Sequence, residues 1–461
     1  MAEKSKKTFW NYVDNLEGDK VVWIITLLLM MVSIICIFSS SSRLLREGET
    51  RLDIVRGQLF TVALGLVLII IIYNIKSLNV IRSLSKFGFI VSFVMLLFLI
   101  SGLDLQVVKS VEINGARRII QVGGLQIHVN EVVKVAMVMY LSWAIDAFQN
   151  DELRYFKGEK GKCKIFYIYA PFVITTMMLL PGSNSAALFS GGIMFLVILL
   201  GGGSGKDMFK LILTVTAVLA LALGIYTVSG GKVFQRIGTG ISRMMEDDDA
   251  EATAISADPN TKAFRDAIDE IRQPYSAKIA VHQGGLIGKG PGQSTQRYMV
   301  PDISEDYMYS FIIEEYGILG GLLIIILYIS LLARSSLIVR NCGKKNSNLF
   351  AKLSVAGLAL LISGQAFLHI LVNVDIGPMT GQTLPLVSHG TSAFICFSIA
   401  FGIILSISRI ANKAIAREQR TADPLVDRHQ DMPEVEKDLD DLDAFESGDN
   451  LNDIIEDDYG L

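Results

Sequence analysis

Residues 21 to 40 read VVWIITLLLMMVSIICIFSS. The run carries no charge, and at 1.5 Å per residue a helix of this length is about 30 Å long, the thickness of a bilayer's hydrocarbon core. The Lys-containing start MAEKSKK precedes it as it would a signal peptide, but the run outlasts a typical signal core and predicts an uncleaved signal anchor. Nine further apolar stretches follow near 57 to 75, 86 to 103, 129 to 147, 165 to 181, 186 to 202, 211 to 229, 308 to 333, 353 to 373 and 389 to 408. They predict an all-α polytopic integral membrane protein of about ten transmembrane helices.

Composition agrees. Of 461 residues, 51% are hydrophobic and 19% charged, and the mean hydropathy is +0.45. The formal charge of -4 hides an asymmetry: residues 431 to 461 hold thirteen acids against Lys437, while residues 1 to 430 carry 41 bases against 33 acids. Three parts follow: an N-tail (1 to 20), a membrane domain (21 to 410) and an acidic tail (411 to 461) that is disordered by composition. The N-tail and the segments 76 to 86, 148 to 164, 203 to 210 and 334 to 352 are basic and fall on one side, which predicts cytoplasmic termini. Segment 42 to 56, with four arginines on the other side, argues the opposite and is outvoted. Two outer loops remain, 104 to 128 and a large one at 230 to 307, between spans 7 and 8. The first half of the large loop is polar and reads as mobile; the second, from KIAVHQGG onward, reads as a structured surface or re-entrant segment.

Several classes drop out. GGGSGKD (201 to 207) and GGLIGKGPG (284 to 292) lack both the leading glycine and the Ser or Thr after lysine that a phosphate-binding P-loop needs. The five histidines show no zinc spacing, and the four cysteines, Cys36, Cys163, Cys342 and Cys396, show no paired spacing. No nucleic-acid partner is expected.

Chemistry concentrates in VPDISEDYMYSFIIEEYGILGG (300 to 321). If the eighth helix starts near Asp306, its dipole favours the aspartate anion at the membrane surface. Glu314 and Glu315 would lie roughly 12 Å deeper, where a carboxylate needs protein or water, and at 100° per residue at most one could share the cavity of Asp306. The residues alone do not rank Asp306 above Asp302 or Glu305.

Three blocks break that tie. NVDIGPMTGQTLPLVSHGTS (373 to 392), the stretch 284 to 321 and NGARRIIQVGGLQIHVNEVVK (114 to 134) together resemble the SEDS family of bacterial cell-wall polymerases, the FtsW, RodA and SpoVE group, over roughly residues 20 to 410. The chain departs from the family pattern at Ser388-His389-Gly390-Thr391-Ser392, at His128-Val129-Asn130-Glu131 and at Pro181-Gly182, where the usual aspartate is missing. The GPGQSTQR spacing resembles the division branch more than the elongation branch.

The resemblance implies polymerisation of lipid II at the outer face of the bacterial cytoplasmic membrane, with inversion and release of undecaprenyl pyrophosphate. Asp306 would be the general base, and Arg117, Arg118, Lys134, Lys289 and Arg297 candidate substrate-binding cations, with Glu131 pairing Lys134. Glu314, Glu315, Asn373, Pro378, Pro385 and Ser388 would shape the cavity, with Asn373 and His389 in packing or capping roles. No cofactor is certain, and a divalent cation, magnesium or manganese, is left open. The implied partners are a class B penicillin-binding transpeptidase and other division membrane proteins. Two other classes compete: a flippase for the same lipid, and a noncatalytic scaffold.

Overall fold

In a computed structural model of the chain, the residues described are 17–41, 50–113, 116–156, 158–203, 205–228, 261–300, 303–343, 348–377 and 380–422. Every predicted apolar stretch forms a helix: α1 (Lys20–Ser40), α2 (Arg51–Tyr73), α3 (Leu78–Ser101), α4 (Val129–Gln149), α5 (Lys160–Leu179), α6 (Asn184–Leu200), α7 (Gly205–Val228), α9 (Met308–Asn341), α10 (Leu349–Asn373) and α11 (Thr391–Ala422). Among the described residues, seven of them (α1, α2, α3, α5, α9, α10 and α11) are long and apolar enough to cross a membrane, and α6 is a shorter apolar helix. An additional helix, α8 (Lys262–Gly284), lies within the large loop. The polar first half of that loop, 230 to 260, and the acidic tail beyond 422 fall outside the described residues.

Helix ends move relative to the sequence expectation for identifiable reasons. α2 starts at Arg51 because Thr50 and Asp53 form a reciprocal capping box. α3 starts at Leu78, so most of the predicted loop 76 to 86 is helical: Ser77 caps it, and Arg82 turns inward to meet Asp146 of α4 at 2.7 Å. α11 runs on to Ala422, past the expected domain boundary at 410. Ion pairs close this end of the bundle. Asp19 caps α1 and meets Arg334 of α9 at 2.7 Å, and Glu17 meets Arg409 of α11 at 2.5 Å.

The helical membrane bundle agrees with the expected fold class, and the opposite end adds one small sheet to it. Residues 108 to 128 form an antiparallel sheet in the order β1 (Val108–Ile113), β2 (Ala116–Val122), β3 (Leu125–His128). β2 and β3 join through Gly123 and Gly124, with Gly123 at φ 61°, the conformation that a two-residue hairpin turn asks of its first position.

α9 is broken inside the membrane domain. Gly317 sits at φ 72° and ψ -175°, which interrupts the helical hydrogen-bond ladder. Lipid cannot satisfy the released groups. The chain does so itself: Lys289 N and Gly290 N donate to the Glu314 and Glu315 carbonyls at 2.9 Å, while Ile318 N and Leu319 N donate to Gly285 O and Leu286 O at 3.0 and 3.3 Å. The segment 285 to 290 thus fills the break, and Gly284, Gly288 and Gly317 permit its close approach, since a Cβ on any of them would collide with backbone. Gly317→Ala and Gly288→Ala, which combine a left-handed φ with that collision, are each expected to cost about 3 kcal/mol. Thermal unfolding of the purified variants checks this, with Gly123→Ala, whose added Cβ meets nothing within 4 Å, as the milder comparison.

Candidate active site

A second irregular segment, residues 380 to 390, enters the bundle between α10 and α11 and is mostly buried. Its polar groups find partners on many elements. Tyr328 of α9 donates to Pro385 O at 2.6 Å, and Ser33 of α1 donates to Val387 O at 2.9 Å while accepting from Gln58 of α2 at 2.8 Å. Leu386, buried at φ 58°, holds a backbone conformation costly for a large side chain, so the surrounding packing must impose it.

This segment touches both charged centres of the site, Asp306 ahead of α9 and Lys134 on α4. Gly381 faces Asp306: a Cβ there would stand 3.3 Å from Asp306 Oδ2. Its neighbour Gln382 accepts from Lys134 Nζ at 3.0 Å. Lys134 is 2% exposed and donates also to Glu131 Oε1 at 2.7 Å and to Gln365 Oε1 at 2.6 Å, so all three ammonium protons are used. The Glu131–Lys134 pair foreseen from the sequence is therefore present, and Gln365 and Gln382 join it unforeseen. Phe189 of α6 lies over the ammonium at 5.8 Å. Glu131 Oε2 and Thr380 Oγ1 are buried with no hydrogen-bond partner among the described residues.

Asp306 itself is half-buried and lies outside the helix. α9 begins at Met308, with Tyr307 as its N-cap, so the expectation of a helix starting near Asp306, and the angles drawn from it, are corrected. A different device fixes the aspartate. Three consecutive carbonyls are captured in turn: Ser304 O accepts from His389 N at 2.8 Å, Glu305 O from Ser388 Oγ at 2.7 Å, and Asp306 O from Asn373 Nδ2 at 3.0 Å. The Asn373 oxygen accepts from Ser310 N at 2.9 Å, in the first turn of α9. Asn373 thus caps, as expected, but on a neighbouring helix. His369 completes the clamp: its Nδ1 lies 2.7 Å from Gln382 O and its Nε2 accepts from Tyr309 N at 3.3 Å, which puts the ring proton on Nδ1.

The remaining predicted residues divide. Arg117 and Arg118 are adjacent on β2 at a bulge, where the pairing with β1 slips between Val111 and Glu112 and leaves Arg118 as the extra residue. Arg117 is exposed, with its guanidinium over Gly102, whereas Arg118 is half-buried beside Gly182. Arg118 also acts on His128: desolvation holds that imidazole's pKa below the usual histidine range, Glu131 and Glu305 pull it up, and Arg118 and Lys134 add to the drop. His389 Nδ1 stands 3.3 Å from Glu305 Oε1. Arg118, His128, Glu131, Lys134, Glu305 and His389 thus gather around the segment that ends in Asp306.

Lys289 and Arg297 are engaged elsewhere. Lys289 meets Glu314 at 2.6 Å and also bonds Gln283, while buried Arg297 donates to Ser39 O at 3.3 Å and Tyr298 Oη at 2.9 Å. Glu314 further accepts from Ser294 and Thr295, and Glu315 from Ser39, Gly292 and Ser294. The acid pair therefore pins the loop 284 to 297 across the broken helix. Pro385 contributes its carbonyl to Tyr328, and Pro378 lies outside the described residues. Among the described residues there is no group of three or more His, Cys, Asp or Glu side chains that could hold a metal ion.

A helical bundle with seven membrane-length apolar helices among its described residues, and with a carboxylate and a buried ammonium brought together by one irregular segment, defines a multi-pass membrane protein with a polar site at one end. The chain belongs to the FtsW/RodA/SpoVE family, described as cell cycle protein, whose match covers residues 19–413. It is 26% identical to a probable peptidoglycan glycosyltransferase FtsW of Enterococcus hirae, over 90% of this chain and 99% of the relative. Its fold is similar to that of Thermus thermophilus rod shape determining protein RodA, with a TM-score of 0.55 at 19% identity, covering 86% of this chain and 98% of the other. A chain from a peptidoglycan synthase complex that coordinates polymerization and crosslinking aligns with a TM-score of 0.58 at 20% identity, covering 86% of this chain and 98% of its own.

Proposed function

We propose that this chain polymerises lipid II into glycan strands at the outer face of the cytoplasmic membrane during division. Family membership and the near full-length match to an FtsW-named relative make it a peptidoglycan glycosyltransferase. The observation that carries the mechanism is the clamp on Ser304, Glu305 and Asp306, which presents one half-exposed carboxylate beside a buried cation network.

The 4-hydroxyl of the acceptor sugar attacks the donor's anomeric carbon as the carbon–oxygen bond to pyrophosphate breaks. The new glycosidic bond forms with inversion, the hydroxyl proton passes to the Asp306 carboxylate, and undecaprenyl pyrophosphate leaves with the bonding electrons. Pyrophosphate departs without a protonating acid, so the two-carboxylate plan of glycosidases is not needed. Arg118 is the cation placed to meet the developing phosphate charge, with Lys134 holding Gln382 beside the base. The basic segments at the Glu17–Arg409 end support a reading with both termini in the cytoplasm and Asp306 outside. A class B penicillin-binding transpeptidase is the proposed partner in a division assembly.

A flippase is the second reading, because broken helices mark transport sites. In transporters the exposed half-helix ends meet substrate or ion. Here the groups released at Gly317 are taken by residues 285 to 290, which favours surface chemistry over alternating access.

The test is conversion of purified lipid II by the protein with its transpeptidase partner, reading polymer length and the anomeric configuration of each new bond by NMR. Inverted linkages support the proposal; lipid II moved between leaflets without polymer points to the flippase. Within this scheme Asn373→Ala and Ser388→Ala each loosen the base by one captured carbonyl. Each is expected to lower kcat by about tenfold or more with KM nearly unchanged.

A further inference from the structure

The end of the sheet at the β2–β3 turn exposes an apolar patch. Leu105, Val107, Val122 and Leu125 are each between 40% and 67% exposed. The chain brings them together: Val122 pairs with Leu125 across the turn, and Gly123 N donates to Val107 O at 3.2 Å. The patch follows directly on a membrane-facing surface. α3 exposes Val94, Leu97 and Ile100 at helical spacing, and Leu103, also exposed, leads from the helix end at Ser101 to Leu105. A patch that begins four residues beyond a span lies at the height of the bilayer surface. The Arg117 guanidinium lies against Gly102, the C-cap of α3, at the level where bases meet lipid phosphates.

Backbone that enters lipid has to find its hydrogen bonds within the protein, and the patch supplies them. Leu105 N donates to Val108 O at 2.8 Å, and Gly123 O accepts from Gln121 Nε2 at 3.2 Å. Ser110 N, on the free edge of β1, donates to Asp104 Oδ1 at 2.9 Å, which closes part of that edge. We propose that this end of the sheet is a membrane anchor, with Leu105, Val107, Val122 and Leu125 seated among the glycerol groups and first acyl carbons of the leaflet on the Asp306 side. Continuity with the exposed face of α3 and the internally bonded backbone favour lipid over a partner protein as the occupant. The anchor fixes the height of β2 against the membrane. Resting on the glycosyl-transfer reading, it thereby holds Arg118, four residues and about 13 Å along the strand from Val122, at a set depth for a lipid-borne substrate.

All four native cysteines are buried, so a thiol introduced at an exposed position can be labelled selectively. Val107→Cys, Leu125→Cys and, at the other end of β1, Glu112→Cys are each spin-labelled in the full chain in vesicles of phosphatidylethanolamine and phosphatidylglycerol. Labels at 107 and 125 are expected to collide with dissolved oxygen, which concentrates in lipid, in preference to a water-soluble nickel chelate, and the label at 112 to show the reverse. Preference for the chelate at 107 and 125 overturns the proposal. Shielding from both reagents that arises only when the transpeptidase partner is added also overturns it, by making the patch a protein interface. The double variant Val107→Asp with Leu125→Asp supplies a second readout. It should raise KM for lipid II by about tenfold with kcat nearly unchanged, and an unchanged KM contradicts the anchoring role. Failure of catalysis reads differently: lipid-seated labels without polymer remove the glycosyl-transfer reading, and polymer with water-exposed labels removes only the anchor.

Discussion

Lys134→Met is expected to destabilise the protein by about 3 to 5 kcal/mol and to abolish activity, the penalty for removing one partner of a buried ion pair. The ammonium is 1% exposed in its side chain and serves Glu131, Gln365 and Gln382 at once. Its loss leaves the Glu131 carboxylate desolvated without a counter-charge and two amide oxygens without a donor. Because Gln382 adjoins Gly381, the disturbance reaches the residue that packs against Asp306. Adding Glu131→Gln to Lys134→Met should recover a substantial part of the lost stability by removing the orphaned charge, while activity stays absent. Thermal unfolding of the single and double variants in one detergent measures this, and equal stability of Lys134→Met and wild type would show that the pair does not hold the site together.

The second large effect is at the base. Asp306→Asn keeps the shape of the side chain and removes its ability to take a proton, so kcat should fall by about 10² to 10⁴-fold, the range of general base catalysis. The clamp should persist, because its three bonds are to the backbone carbonyls of residues 304 to 306. That separation is what distinguishes Asp306 from Glu314 and Glu315: their carboxylates bond the loop at 284 to 297, and neutralising them loosens structure first.

Much of the fold was legible because lipid imposes a simple rule. Every backbone group in the bilayer must be satisfied locally, so uninterrupted apolar runs of helix length read directly as spans. The rule fails where the chain supplies its own irregular backbone. Segment 285 to 290 is fixed by backbone bonds to α9 and segment 380 to 390 is largely buried, both through tertiary contacts that local pattern cannot express, and the break at Gly317 sits inside an apolar run that reads as one continuous helix. The sheet could have been found: Gly123-Gly124 is a hairpin turn pair beside residues of high strand propensity.

The site was legible in part for a related reason. Glu131 and Lys134 stand three apart on one helix, a spacing that declares the pair. Lys289 and Arg297 read as lesser candidate cations beside Arg117 and Arg118, and only three-dimensional packing commits them to Glu314 and to Ser39. Gln365 and Gln382 gave no signal, because a neutral amide in an apolar run declares a partner only when that partner is in view.

The most direct test of the account is strand synthesis from lipid II by wild type and Asp306→Asn, each co-purified with the same transpeptidase partner and matched for thermal stability. The account predicts polymer from the wild type and none above background from the variant; equal polymer from both would contradict it and move the base to another residue.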